Sequence, residues 1–248
     1  MKFQLMSDLH TEFHAFPLKM LEKLTFEPDL DFLLLPGDIV VPCSKPFPKS
    51  KTTIRDIFEF LGSKARHVLY VTGNHEYYHG DKETVEALIE AALPSNFHWL
   101  RDTSVTIDGQ HFFGGTMWFP YSSRNLMYED GLSDFLVIKG FKKWVYASNS
   151  YFVEAAKNHI KRDTVVLTHH VPSYTAVAPV FQGDALNRFF VCNMDPVIGI
   201  AQPALWVYGH THLPNRTMFV ETPVVCNPYG YPHERKQMGP YPPVVFER

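Results

Sequence analysis

The sequence predicts an α/β protein made of two sheets packed face to face with helices outside, and three observations carry that expectation. Short apolar runs ending in turn residues recur along the chain, stripes of helical period lie between them, and the middle and tail switch to brief alternating or aromatic pieces. With 248 residues, 45% hydrophobic and 20% charged, the chain can bury a large core, and a single domain over 1–248 is expected.

The apolar runs share one device. Phe3-Gln4-Leu5-Met6-Ser7 leads to Asp8-Leu9-His10, and Phe32-Leu33-Leu34-Leu35-Pro36 leads to Gly37-Asp38. His67-Val68-Leu69-Tyr70-Val71 leads to Gly73-Asn74-His75-Glu76, Val165-Val166-Leu167-Thr168 to His169-His170, and Leu205-Trp206-Val207-Tyr208 to Gly209-His210-Thr211-His212. Runs this short suit strands buried on both faces of a mainly parallel sheet. Functional groups collect beyond the carboxyl ends of such strands, so the loops can meet at one place.

Helical patterns fill the intervals that parallel strands require. After Thr53, a suitable N-cap, Ile54, Ile57, Phe58 and Leu61 recur at helical spacing, and Gly62 closes the segment. Val85, Leu88, Ile89 and Ala92 repeat the stripe after Asp81, and Phe152, Ala156 and Ile160 mark a helix within 144–161. A weaker pattern covers 17–24. From Phe97 to Phe119, pieces around Asp108-Gly109 and Gly114-Gly115 read as hairpin strands, so the sheet order is expected to change there. Thr217 to Val220, Val224 to Cys226 and Val244 to Phe246 read as antiparallel strands, while 42–51, with three prolines and three lysines, reads as a mobile loop beside the site.

Bulk composition excludes several roles. A formal net charge of -3 is no footprint for non-specific nucleic-acid or membrane binding. The three cysteines are widely spaced and suit a reducing compartment better than a disulfide framework. No run approaches a membrane span and no signal segment precedes the first strand, so a cytoplasmic protein is expected.

The turn residues carry the chemistry. Asp8, His10, Asp38, Asn74, His169, His210 and His212 offer two carboxylates, an amide oxygen and four imidazoles. Mixed oxygen and nitrogen donors suit Mn, Fe or Zn, whereas Mg or Ca takes mostly oxygen. Seven side chains exceed one four-coordinate ion but suffice for two if a carboxylate bridges them. Two such ions, roughly 3.5–4 Å apart, form a clamp for displacement at phosphorus. The Asp8-x-His10 and His210-x-His212 spacings can each act as a pincer, because residues two apart on extended chain point the same way.

Asp8-Leu9-His10, Gly37-Asp38, Gly73-Asn74-His75-Glu76, Thr168-His169 and Gly209-His210-Thr211-His212 together resemble the ordered signature of the calcineurin-like metallophosphoesterases. The resemblance spans nearly the whole chain. It implies a four-layer α/β/β/α sandwich holding two divalent ions, with Mn favoured and Fe or Zn as alternatives. It sets Asp8, His10 and His212 on one ion, Asn74, His169 and His210 on the other, and Asp38 between them. It implies in-line attack on a phosphoester by a metal-bound hydroxide, with His75 as general acid. An imidazole near neutral pH can supply a proton to the leaving oxygen, provided an anionic partner keeps it charged.

The family's protein Ser/Thr phosphatases continue Gly-Asp with a further Asp and an Arg, and Ile39-Val40-Val41-Pro42-Cys43 supplies neither. A phosphoprotein phosphatase is therefore disfavoured, and the partner of His75 is unassigned. Glu76 is a candidate, although side chains of adjacent residues diverge. His170 is expected to support the ligands rather than join them. The other histidines read as structural, with His14 and His79 the best placed to touch substrate. Arg124 and Arg188 are not assigned a phosphate contact. The turn at Asn227 to Pro232 allows contact with the site without requiring it. A small-molecule or nucleotide phosphoester is the expected substrate. A nuclease of the same chemistry, or a non-catalytic scaffold on this fold, is the alternative.

Overall fold

The computed structural model describes residues 1–44 and 50–247, so half of the loop expected over 42–51 lies outside the described residues. The first half winds β1 (Lys2–Leu5), α1 (Pro17–Leu21), β2 (Leu30–Pro36), α2 (Ile54–Gly62), β3 (Ala65–Val71), α3 (Lys82–Ala92) and β4 (Phe97–Trp99). The chain then changes sheet. β5 (Thr103–Ile107) and β6 (Gln110–Gly115) form an antiparallel hairpin whose turn residues Asp108 and Gly109 sit at φ 50° and 83°, the left-handed pair such a tight turn demands. There follow α4 (Ser133–Val137), α5 (Val145–His159), β7 (Val165–Thr168), α6 (Asn187–Phe190), α7 (Asp195–Ala201) and β8 (Leu205–Tyr208). The last quarter holds β9 (Asn215–Phe219), β10 (Thr222–Cys226), α8 (Pro232–Met238) and β11 (Val244–Glu247).

One sheet has the order β11-β1-β2-β3-β4 and the other β5-β6-β7-β8-β10-β9. Strand periodicity explains the layers, since alternate side chains face opposite ways. On β2, Phe32 and Leu34 meet Phe112, Leu167 and Val207 between the sheets, while Leu33 and Leu35 face the helices with Phe58 and Ile89. On β8, Leu205 and Val207 point inward, while Trp206 and Tyr208 pack outward with Phe152 and Ile198. Two sheets with helices on both outer faces make the expected four-layer sandwich.

Thr53 caps α2 in a reciprocal arrangement with Asp56, as its position suggested. The tail differs from the antiparallel expectation in one respect. β9 takes the sheet edge, and β10 returns between it and β8, pairing antiparallel with β9 but parallel with β8. β11 crosses back to pair antiparallel with β1, tying the tail to the first strand. Helices α4, α6, α7 and α8 escaped the sequence reading because their stripes of four to seven residues are too brief to reveal a period. No helix among the described residues is long and apolar enough to cross a membrane.

The turns after β2 and β3 touch backbone to backbone. Gly37 lies at φ 87°, and a Cβ there would fall 2.6 Å from the Gly73 nitrogen. A Cβ on Gly73 would strike the Asp38 carboxylate. Glu76 clamps the two turns: its buried carboxylate accepts N–H groups from Gly73 at 2.7 Å, Asp38 at 3.0 Å and Ile39 at 2.7 Å, and the Tyr70 hydroxyl at 3.0 Å. Glu76→Ala would orphan these donors and is expected to cost about 3 kcal/mol or more in urea-induced unfolding. A cost below about 1 kcal/mol would show that the clamp is dispensable.

Candidate metal centre

Five loops deliver the donors, from the ends of β1, β2, β3, β7 and β8. Four donor residues occupy left-handed backbone: Asp8 at φ 51°, His10 at 45°, Asp38 at 55° and His210 at 67°. Asp and His tolerate this region better than branched residues, yet it still costs energy that surrounding contacts must offset. Those contacts are present. Asp8 N–H donates to the Gly37 carbonyl and His10 N–H to that of Asp38, while His210 N–H donates to Asp8 Oδ1 at 2.9 Å.

All seven sequence-predicted donors are brought together. Asp8, His10 and His212 present ligand atoms within 4.8 Å of one another, and so do Asp38, His169 and His210. Asp38 Oδ2 stands between the groups, 3.7 Å from His10 Nε2 and 3.5 Å from His169 Nε2. Asn74 Oδ1 lies 3.0 Å from His169 Nε2.

The donor set fits divalent cations on evidence internal to this structure. His10 uses Nδ1 toward Glu12 at 3.1 Å, and His212 uses Nδ1 toward Glu234 at 2.7 Å. Their Nε2 atoms then face each other at 3.0 Å, and in the neutral rings both present lone pairs. His169 donates Nδ1–H to the Pro36 carbonyl and its Nε2 meets the Asn74 carbonyl oxygen at 3.0 Å; burial disfavours its charge, yet Asp38 and then Asp8 lift its pKa to about 9, so a proton on Nε2 stands where a cation would. Asn74 is locked in that orientation because its amide nitrogen donates to Asp134 at 2.9 Å. Asp8 Oδ2 is buried with no partner. The facing Nε2 atoms of His10 and His212, the charged His169 beside Asn74 and an orphaned carboxylate oxygen mark a place for positive charge.

Burial and neighbouring charges move these groups in opposite directions. Burial drives the Asp8 carboxyl up to about 6. Burial opposes ionisation of Asp38 as well, but His169 and then His75 hold it well below the usual carboxylate range. Burial, then His170 and His169, push His210 well below the ordinary imidazole value. A neutral imidazole and an ionised carboxylate are the forms that bind metal.

His75 belongs to neither of those groups, but one of its ring nitrogens lies within 4.8 Å of ligand atoms of His10 and Asp38. Its Nδ1 meets Glu12 Oε1 at 2.9 Å, its Nε2 lies 3.3 Å from the Tyr231 hydroxyl, and Tyr78 stacks on its ring at 4.3 Å. Burial disfavours its charge, yet Asp38 and then Glu12 more than offset this and lift its pKa to about 9. Glu12 is thus the anionic partner that the sequence left unassigned. Glu76, the candidate from sequence, points the other way into the clamp. Only the position of Glu12 two residues past His10 could have hinted at it, and the turn of 3-10 helix over Thr11–Phe13 decides where it points.

Other supporting residues were also unread. Asp134 holds Asn74 and Tyr78, while Glu234 holds His212 and the Tyr231 N–H. His170 is buried, donates Nδ1–H to the Thr116 carbonyl and packs its ring against His210 at 4.4 Å, matching its expected supporting place. His14 rests against Tyr229, and His79 is exposed. Arg188 lies over Tyr128 and Arg124 is exposed, so neither approaches the donors.

Removing the carboxylate that faces His75 gives a direct check in metal-free protein. Glu12→Gln should lower the His75 pKa measured by NMR titration, because a raising cause is lost. Stability follows with a definite sign. The raised His75 pKa contributes stability present below about 6.5 and lost as pH climbs through about 9, so the variant should differ from wild type mainly on the acidic side. An unchanged His75 titration would refute the pairing.

A family model described as calcineurin-like phosphoesterase matches residues 1–214, from the first strand through the His210 to His212 loop. An uncharacterized protein of Acanthamoeba polyphaga mimivirus is 28% identical over 243 residues, covering 86% of this chain and 83% of the relative. Among solved structures, the phosphopantetheinyl hydrolase of Mycobacterium tuberculosis superposes with a TM-score of 0.72 at 15% identity, covering 97% of this chain and 93% of that one. The TT1561 protein of Thermus thermophilus reaches a TM-score of 0.51 at 14% identity, over 92% and 88% of the two chains. At such identities the structural likeness speaks for the fold, and the family match speaks for the chemistry. The protein belongs to the calcineurin-like phosphoesterase family and is a metallophosphoesterase.

Proposed function

We propose that the protein hydrolyses a phosphomonoester or phosphodiester of a small molecule or nucleotide at a dinuclear centre, preferring Mn, with Fe or Zn as alternatives. The observation that carries the reading is the convergence of His10 with His212, and of His169 with Asn74, on either side of Asp38. On this reading Asp8, His10 and His212 hold one ion, Asn74, His169 and His210 the other, and Asp38 both. When bound, the two ions activate water and draw negative charge from the phosphoryl oxygens.

The chain's own residues do the remaining work. Glu12 accepts from His75 Nδ1–H and fixes the ring so that Nε2 faces the open side of the site, beside Tyr231. As the bond from phosphorus to the leaving oxygen breaks, His75 gives that oxygen the Nε2 proton. Asp134 and Glu234 hold Asn74 and His212 in orientation, a role whose loss typically costs 10- to 100-fold in metal affinity or activity. The reading treats 1–248 as one domain, because Tyr231 and Glu234 from the tail border the same centre. It takes the protein to be cytoplasmic, where its three free cysteines stay reduced.

Apoprotein reloaded with Mn, Fe, Zn or Mg and assayed on matched monoesters and diesters should be most active with Mn. Failure of every metal to restore hydrolysis would refute the reading. Asp38→Asn should be the most damaging ligand change, since it removes the anion shared by two dications; near-normal metal content and rate would exclude a bridge. His75→Ala should keep its metal and lose roughly 10²- to 10⁴-fold in kcat on an ester with a poor leaving group. In Glu12→Gln the basic limb of the rate profile should move to lower pH, because a general acid of lower pKa deprotonates sooner.

A further inference from the structure

A cavity of about 400 Å³ opens from the centre beside His75, Asn74, His210 and His212, large enough for the organic part of a small substrate. Its far wall comes from two stretches that cross over the site, one around α4 and one between β7 and α6. Leu132, Val171, Val177, Phe181, Leu186 and Phe189 give that wall an apolar surface. The two stretches are fastened to each other through Phe135 and Phe189, whose rings meet at 5.9 Å, and through Arg188 lying over Tyr128 at 5.0 Å. Phe190 carries the apolar surface down to the centre, stacked on His210 at 4.3 Å.

The charge of the cavity is as informative as its polarity. Three carboxylates beyond the metal donors line it: Asp134, Asp184 and Glu234. Asp134 and Glu234 are engaged with Asn74 and His212, and Asp184 stands exposed at the mouth near Phe181 and Leu186, which are 44% and 39% exposed. Cations at the donors would attract the phosphoryl group, whereas these carboxylates repel a second anionic group farther out. A group ending in carboxylate or phosphate would also lose solvation against the apolar wall.

Resting on the hydrolytic reading above, we propose that the alcohol released by this enzyme has an apolar body and bears no anionic group. The preferred substrate is a phosphoester of a small apolar alcohol, with the alkyl or aryl part lodged between the 132–134 and 177–189 stretches. Phosphoesters carrying a further phosphate or carboxylate are disfavoured by the same wall.

The test compares n-butyl phosphate with the analogue whose terminal methyl is replaced by carboxylate, each also as its methyl diester, on Mn-loaded wild type. The butyl ester should be favoured roughly tenfold or more in kcat/KM, the scale on which pockets discriminate single groups. Asp184→Lys should narrow that ratio by raising kcat/KM for the carboxylate ester. Leu186→Ser should narrow it by lowering kcat/KM for the butyl ester. Circular dichroism establishes that both exposed-site variants are folded. Equal kcat/KM for the two esters, or ratios unmoved by both variants, would overturn the proposal while leaving phosphoester hydrolysis intact. No hydrolysis of any of the four esters by metal-loaded protein would overturn the hydrolytic reading and this one with it.

Discussion

The contact between the Gly37-Asp38 and Gly73-Asn74 turns is the constraint on which the centre depends. Two backbones approach closely enough that neither position has room for a Cβ, and that proximity puts Asp38, Asn74 and His75 on adjacent lips of one crevice. Peptide N–H groups crowded into a buried space must find acceptors. The Glu76 carboxylate supplies them, accepting from both turns and from the Tyr70 hydroxyl near the end of β3. Asp38 returns the tie by accepting the His75 N–H at 2.9 Å, so a prospective ligand also fixes the backbone of the prospective acid.

Around this contact the charges are arranged in rings. The innermost ring gathers nitrogen and oxygen atoms, with His10 facing His212, His169 facing Asn74 and one carboxylate oxygen without a partner. The next ring is anionic. Glu12, Asp134 and Glu234 each pin an inner side chain by one specific atom and thereby choose which atom it presents inward. Glu12 serves two histidines at once, holding both His10 and His75 by Nδ1.

The tail closes the arrangement from a direction that the first 214 residues do not supply. β11 pairs with β1, Asn227 donates to the Leu5 carbonyl, and Tyr229 N–H donates to that of Ser7, so the ends of the fold are stitched together beside the first donor loop. That stitching carries Tyr231 and Glu234 to His10, His75 and His212. The 132–134 and 171–190 stretches build the opposite side of the cavity.

Local chemistry was legible because it is written in local pattern. Alternating and continuous apolar runs fixed the strands, helical stripes fixed α2, α3 and α5, and Asp, Asn and His at strand ends marked the seven donors. Helices of one or two turns left no such trace, and strand order in the tail depended on which sheet edge was free. Residue order alone was enough for the layered α/β class and for naming the seven candidate donors that the fold gathers around Asp38. What each donor leans on came from the folded chain: Glu12 on His75 across 63 positions, Glu234 on His212 across 22, and Asp134 on Asn74 across 60. A carboxylate's partner is chosen by distance in space and by the cost of burying it alone, and neither quantity is carried by spacing along the chain.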